Sequence, residues 1–426
     1  MKLTTLRVGG LIIGVLAAPI LVGCSSDKAV APSGPITAIT PESSSPDSSQ
    51  ATLASSGSAS SVPESTTDSE ASLPDTSALG SEASTVSSTE SSGAATAGAW
   101  VNATDGLVGL SSECGNMSLV SARPDIPGMI ASVARQGLWA DDAPPGTDTW
   151  TKLGTGPGSA TITNRASSIV YDPLKPTTFW ESGIYNGGGV YRTDDGGLTF
   201  TQLGDISHTE AVSIDFTDPA RKTLLAGKHE DASLSRSTDG GATWTDIAST
   251  LPPDTGFSTG PLVIDSRTFV LGTNHGDSPG VFRSTDGGAS WTRVFDEGVT
   301  ALPLVTSDGA IYWVTQTSAA VIKSIDKGAT WTVVTKDGTL APQATSLIPL
   351  PGGAIASLGS TTIIVSADGG VTWEPLGPDL PFVPTGMTYS AWRTAFYVWH
   401  FDCDFSTDDP IQPNSIMRLD YVPADG

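Results

Sequence analysis

Ser237-Thr-Asp-Gly-Gly-Ala-Thr-Trp244 and Ser284-Thr-Asp-Gly-Gly-Ala-Ser-Trp291 are two copies of one eight-residue box. Three more copies read Thr193-Asp-Asp-Gly-Gly-Leu-Thr-Phe200, Ser324-Ile-Asp-Lys-Gly-Ala-Thr-Trp331 and Ser366-Ala-Asp-Gly-Gly-Val-Thr-Trp373. Their third residues, Asp195, Asp239, Asp286, Asp326 and Asp368, are spaced 44, 47, 40 and 42 apart. A period of that length is one four-stranded blade of a β-propeller. The box itself reads as a tight hairpin turn. Its Asp accepts hydrogen bonds from nearby backbone N–H groups, its Gly supplies positive φ, and its Trp or Phe starts the next strand and plugs the space between blades. One acidic residue per box is too few oxygen ligands for calcium, so these Asp residues are read as structural.

The flanks fit this reading. The stretches 189–192, 233–236, 280–283 and 320–323 precede boxes and read as strands, and 201–203 and 292–294 follow them as edge strands. The folded part, residues 99–426, is long enough for one seven-bladed, all-β propeller. Blade one is expected to hold strands 129–133 and 137–139 and a decayed box between Asp141 and Trp150. Blade seven is expected at 386–389, 394–399 and 415–418, with its missing outer strand supplied by 106–110 from the N-terminal side.

These boxes resemble Asp-boxes, the bacterial neuraminidase repeats. Sialidases, xyloglucanase-type two-propeller hydrolases, sortilin-type receptors and the photosystem II assembly propeller share them. The resemblance covers about residues 168–376 and implies the fold without choosing among hydrolases, receptors and assembly factors.

The N-terminus reads as an export signal over 1–24: Lys2 and Arg7, then an apolar run from Val8 to Val22, too short to span a membrane comfortably. Leu21-Val-Gly-Cys24 resembles the bacterial lipobox, which implies cleavage before Cys24 and lipid on its sulfur. The resemblance therefore implies a lipid-anchored protein of the bacterial cell envelope facing outside the plasma membrane, sorted to the outer membrane if the host has two. Residues 25–98 are rich in Ser, Thr, Ala and Pro and hold no Phe, Tyr or Trp. Such a segment cannot offset its ordering entropy by burial and is expected to be a disordered tether. As a flexible coil it would span roughly 45–50 Å.

Residues 99–426 carry 18 Lys plus Arg against 36 Asp plus Glu, which argues against a nucleic-acid partner. The chain has three Cys. With Cys24 lipidated, Cys114 and Cys403 remain in an oxidising compartment. Ring closure by the N-terminal segment would bring them together, so a Cys114–Cys403 disulfide is expected.

Propeller geometry then sorts the loops. With strands A to D counted outward from the axis, the boxes occupy the C–D turns, and the B–C loops and D–A connections open on the opposite face. In sialidases that opposite face holds the active site. Here it collects all four His of the chain, His208, His229, His275 and His400. It also collects Arg165, Glu181, Tyr185, Asn186, Glu210, Glu230, Asp231, Asn274 and Asp277, most of them over blades two to four. The corresponding loops of blades five and six, 315–318 and 358–361, are bland. Two readings stand, a functional cluster or an ordinary polar surface.

Metal ligation by His229, His275 and His400 lacks any HxH or HExxH spacing, so neither metal nor cofactor is expected. The sialidase pattern is met only in fragments. Ala122-Arg-Pro-Asp-Ile-Pro127 is a distorted echo of its Arg-Ile-Pro, Arg165 is well placed, and Tyr185 lies near Glu181. Other glycosidases need two carboxylates at a set separation, for which Glu181, Glu210, Glu230, Asp231 and Asp277 are candidates. The leading expectation is a monomeric surface propeller that binds an extracellular glycan or protein. A glycan-processing hydrolase or lyase and an envelope assembly factor are the alternatives.

Overall fold

Each box closes on itself. Its first hydroxyl donates to the Asp Oδ1 at 2.8 Å in all five copies. The same hydroxyl oxygen accepts the N–H of the box's fifth residue, a Gly, at 2.8–3.0 Å. The Asp Oδ2 takes the hydroxyl of the seventh residue at 2.6 Å. Both carboxylate oxygens are thus spent on the turn. Hydroxyl donation from Thr243, Thr330 and Thr372 holds Asp239, Asp326 and Asp368 down to about 2. Four boxes place Gly at the fourth position with φ of 75–81°. The other places Lys327 there at φ 59°, a left-handed conformation that a residue with a Cβ adopts at some cost.

The computed structural model describes residues 96–113, 116–336, 342, 347–401 and 409–423. Cys24, Cys114, Asp402, Cys403, the export signal and nearly all of the tether lie outside the described residues. Seven four-stranded antiparallel sheets form a seven-bladed propeller. Six blades run in chain order over 117–152, 165–202, 209–246, 257–295, 299–333 and 348–376. The seventh combines Gly386–Ser390, Ala395–Trp399 and Ile416–Val422 with an outer strand from the other end, Thr96–Asn102.

That outer strand corrects one expectation. The N-terminal segment does complete blade seven, but through 96–102 and not through 106–110. Thr96–Asn102 pairs along Ile416–Val422, from Thr96 opposite Val422 to Asn102 opposite Met417. The stretch 105–109 is a turn, with Gly106 at φ 86° and Gly109 at φ 80°, torsions that break a strand. Its Leu107 is fully buried in the contact between blades seven and one. Among the described residues the first strand of the propeller is Thr96–Asn102. Blade one also gains an inner strand, Met117–Ala122, that its apolar pattern did not single out.

The core is seven inter-blade seams. Seven buried clusters each join two neighbouring sheets, from Met117 and Met129 against Tyr397 and Ile416 at the closing seam to Leu358 and Ile363 against Phe396 and Val398. Successive residues of one second strand enter different seams. Phe179 packs toward blade one and Trp180 toward blade three, while Phe269 packs toward blade three and Val270 toward blade five. A strand with both faces buried this way reads as a continuous apolar run instead of an alternating one. The box aromatics fill the seams. Trp244 Nε1 donates to Leu203 O at 3.0 Å and Trp150 Nε1 to Ala103 O at 2.8 Å.

The closing seam also carries buried charge. Arg393, 1% exposed, donates to the fully buried Asp141 Oδ2 at 2.6 Å. It also reaches the Asp141 carbonyl at 2.7 Å and the Tyr397 hydroxyl at 3.0 Å. Tyr397 in turn donates to Asp148 Oδ1 at 3.1 Å, and Arg418 pairs with the other oxygen of Asp148. The decayed box of blade one has become the anchor point for blade seven.

Candidate functional site

The face opposite the boxes is assembled from strand ends. Arg165 opens the inner strand of blade two, Arg165–Tyr171. Tyr185 follows its second strand, Phe179–Ile184, and begins a loop that continues through Asn186 and three glycines. His208 precedes, and Glu210 sits in, the inner strand of blade three, Thr209–Ile214. His229 and Glu230 leave its second strand, Leu224–Lys228. Neighbouring blades place these ends side by side, although they are far apart in sequence.

The geometry is a short relay. His229 Nδ1 and Glu210 Oε2 are in direct hydrogen-bond contact. With Nδ1–H donating to that carboxylate, Nε2 is left to accept a proton, and the Tyr185 hydroxyl lies 3.2 Å from it. His208 lies on the flank. Its Nδ1 accepts the Tyr185 N–H at 3.3 Å, and its carbonyl accepts the His229 N–H at 3.1 Å. The three rings pack edge to face with centroids 4.9–5.6 Å apart. Burial, then the charges of His229 and Lys228, pull His208 below the usual histidine range. The neutral ring is the form that accepts at Nδ1.

Arg165 lies over the Tyr185 ring, 5.1 Å from its centroid. Its guanidinium donates to no carboxylate or carbonyl among the described residues. Glu113 and Arg135 extend the same patch from blade one. Glu113 accepts from the Asn186 amide, and burial raises its carboxyl against the opposing pull of Arg135 and Arg165. Tyr185, Asn186, His208 and Glu230 all have positive φ, at 55°, 28°, 58° and 51°. Each such non-glycine residue costs of order 1–3 kcal/mol, and such strain gathers at functional sites.

The expected residues therefore divide. Arg165, Tyr185, Asn186, His208, Glu210, His229 and Glu230 come together, with Glu230 Oε1 at 3.7 Å from His229 Nε2. Glu181 does not reach the face. It is fully buried beside Asn164, whose Nδ2 donates to Glu181 Oε2 at 3.3 Å. It faces inward because the two-residue alternation that sends Phe179 into the seam with blade one sends Glu181 the same way. Desolvation pushes its carboxyl up to about 8. Asp231 closes its own turn by accepting the Ser233 N–H at 2.8 Å.

His275 belongs to a second group over blades four and five. It stacks on Phe257 at 5.5 Å and contacts Asn274 Oδ1 at 3.0 Å and Gln316 Nε2 at 3.4 Å. Asp277 is exposed in the same loop. His400 stacks on Phe382 at 3.7 Å. The four His thus share a face but not a site, which removes a common centre for His229, His275 and His400. Among the described residues no group of three or more His, Cys, Asp or Glu is arranged to hold a metal. Glu113 and Arg135 had no sequence signal beyond their place in the loops of blade one.

No family model matches the chain, and no curated protein matches it. Solved structures do. A GH74 enzyme from Niastella koreensis aligns at 18% identity over 69% of this chain and 52% of its own, with a TM-score of 0.49. The GH74 xyloglucanase from Xanthomonas campestris gives 17%, 71%, 52% and 0.48. YCF48 bound to D1 peptide gives 14%, 76%, 97% and 0.49. The chain spans about half the length of the two GH74 enzymes it matches. At these identities and scores the likeness carries nothing about activity, and function has to be argued from the site.

Proposed function

We infer that this chain is an exported Asp-box propeller, lipid-anchored at Cys24, that holds an acidic extracellular glycan on the face over blades two and three. One observation carries the reading: the Arg165 guanidinium, in no salt bridge among the described residues, lies over the ring of Tyr185, which itself packs against His208 and His229. In a domain of strongly negative net charge, a guanidinium that forms no salt bridge among the described residues and feels Glu113 only through space is set to receive an anion. A planar guanidinium matches a carboxylate or sulfate through paired N–H donors. The polar tips around it suit the hydroxyls of a sugar.

Binding to an array of uronate-bearing, sulfated, sialylated and neutral glycans tests this. Acidic glycans should bind, and the affinity should fall as salt rises. Arg165→Ala should weaken binding about tenfold or more, because a charge-assisted hydrogen bond contributes about 1.5–3 kcal/mol. Binding confined to neutral glycans, or unchanged in Arg165→Ala, would overturn the reading.

A further inference from the structure

We propose that the same face is a β-eliminating site for glycans that carry a uronate, with Tyr185 as the proton-transferring catalytic residue and His229 and Glu210 positioning and polarising it. The proposal rests on the acidic-glycan reading above and adds a reaction to it.

The order of groups is the argument. A carboxylate, Glu210, fixes the tautomer of His229 by accepting at Nδ1, and Nε2, with Glu230 Oε1 3.7 Å away, faces the Tyr185 hydroxyl at 3.2 Å. That is the arrangement by which a histidine activates a hydroxyl, here with a phenol at its end. Beside the phenol stands Arg165, 5.1 Å from the ring centroid. Removing a proton from the carbon next to a carboxylate needs this combination. A base must reach the hydrogen, and a fixed cation must hold the carboxylate as negative charge spreads into it. Hydrolysis would need a free pair of carboxylates instead. Here Glu210 is committed to His229 and Glu181 is buried beneath the surface.

The step balances without a co-reactant. Tyr185 Oη takes the hydrogen from the carbon bearing the carboxylate as its own proton passes to His229 Nε2. The electron pair of the broken C–H bond becomes a carbon–carbon double bond to the neighbouring carbon. The bond from that neighbour to the glycosidic oxygen breaks, and its electron pair leaves with the oxygen. That oxygen takes a proton from Tyr185, which recovers one from His229. The products are an unsaturated uronate and a free hydroxyl, and the protein returns to its starting state.

The groups that set the proton affinity of His229 come from three elements: Tyr185 and Arg165 from blade two, Glu210 and His208 from the start of the inner strand of blade three, and Lys228 and Glu230 from its own turn. Loss of Glu210 removes the acceptor that fixes the His229 tautomer. The maximal rate should then fall and the rate–pH profile should change.

The test uses the mature protein and a panel of uronate polymers: polygalacturonate, alginate, hyaluronate, chondroitin and heparin. The readout is the ultraviolet absorbance of the conjugated product. At least one polymer that binds through Arg165 should yield it. Tyr185→Phe, which keeps the ring beneath Arg165, should lose on the order of 100-fold or more in kcat with binding intact. Glu210→Gln should lower kcat with little change in KM and change the rate–pH profile, a response that a purely structural role would not give. A polymer bound through Arg165 that releases no unsaturated product overturns the elimination and leaves the binding reading standing. Failure of every polymer to bind ends both. Full activity in Tyr185→Phe overturns the role of Tyr185, and an unchanged rate–pH profile in Glu210→Gln overturns the relay.

Discussion

Replacing Glu181 with Gln should make the propeller more stable, and the gain should grow with pH. Glu181 has no exposed surface. Its Oε2 accepts one N–H from Asn164, while its Oε1 and Asn164 Oδ1 have no partner among the described residues. A proton on the carboxyl supplies the donor that this oxygen pair lacks. Desolvation therefore raises the group from 4.5 to about 8. The direction follows from proton counting. Between those two values the folded state holds a proton that the unfolded state has released, so stability falls as pH rises through this window. At about 1.4 kcal/mol per unit, the penalty is about 3 kcal/mol at pH 7 and near 5 kcal/mol above pH 8. Gln is close in shape, keeps an acceptor for Asn164 and cannot ionise, so it removes the penalty. Urea unfolding of both proteins at a series of pH values from 4 to 9 measures this. The curves should nearly meet at the acid end and diverge steadily above it. Parallel curves, with a constant offset across the whole range, would refute the claim that Glu181 is held neutral.

Three further outcomes are expected. Arg393→Ala leaves Asp141 buried without its counter-ion at the closing seam, which should cost about 3–5 kcal/mol; a loss under about 1 kcal/mol in chemical denaturation would contradict the role of this pair in anchoring blade seven to blade one. The Cys114–Cys403 disulfide proposed from the sequence involves two residues outside the described ones; two free thiols titrated in the unfolded protein would rule it out. The mature N-terminus should be a lipid-modified Cys24, and mass spectrometry finding an unmodified terminus cut elsewhere would count against the anchor.

The boxes made the fold legible because they are local. Every bond that defines one lies within seven residues, and the period between them fixes the blade. What escaped is what depends on long-range placement. The outer strand of blade seven was expected at 106–110 because that stretch is apolar; two left-handed glycines make it a turn, while the less apolar Thr96–Asn102 takes the edge, where a strand needs only one buried side. The site was half legible. Loop sorting put Arg165, Tyr185, His208, Glu210 and His229 on one face, since strand direction alone decides that. It could not say which of them touch. His275 lies one blade on from His208 and in a separate group, and Glu181 points into a seam because it keeps step with Phe179 along one strand. Contacts across blades depend on the rotation between sheets, and no sequence spacing records that rotation.

The closing strand also decides how the ring meets a pull. The chain preceding Thr96 enters the propeller through the outermost strand of blade seven, which is held by its ladder to Ile416–Val422 and by Trp100, whose indole N–H donates to Pro378 O at 2.7 Å. Tension applied from the N-terminal side arrives first at this edge ladder and at the Trp100 contact with the segment that leaves blade six. Blade seven is therefore where the ring would first yield to such a pull. Peeling 96–102 would expose the edge of Ile416–Val422, while the contact of Arg393, in the turn between two other strands of blade seven, with Asp141 would still grip blade one.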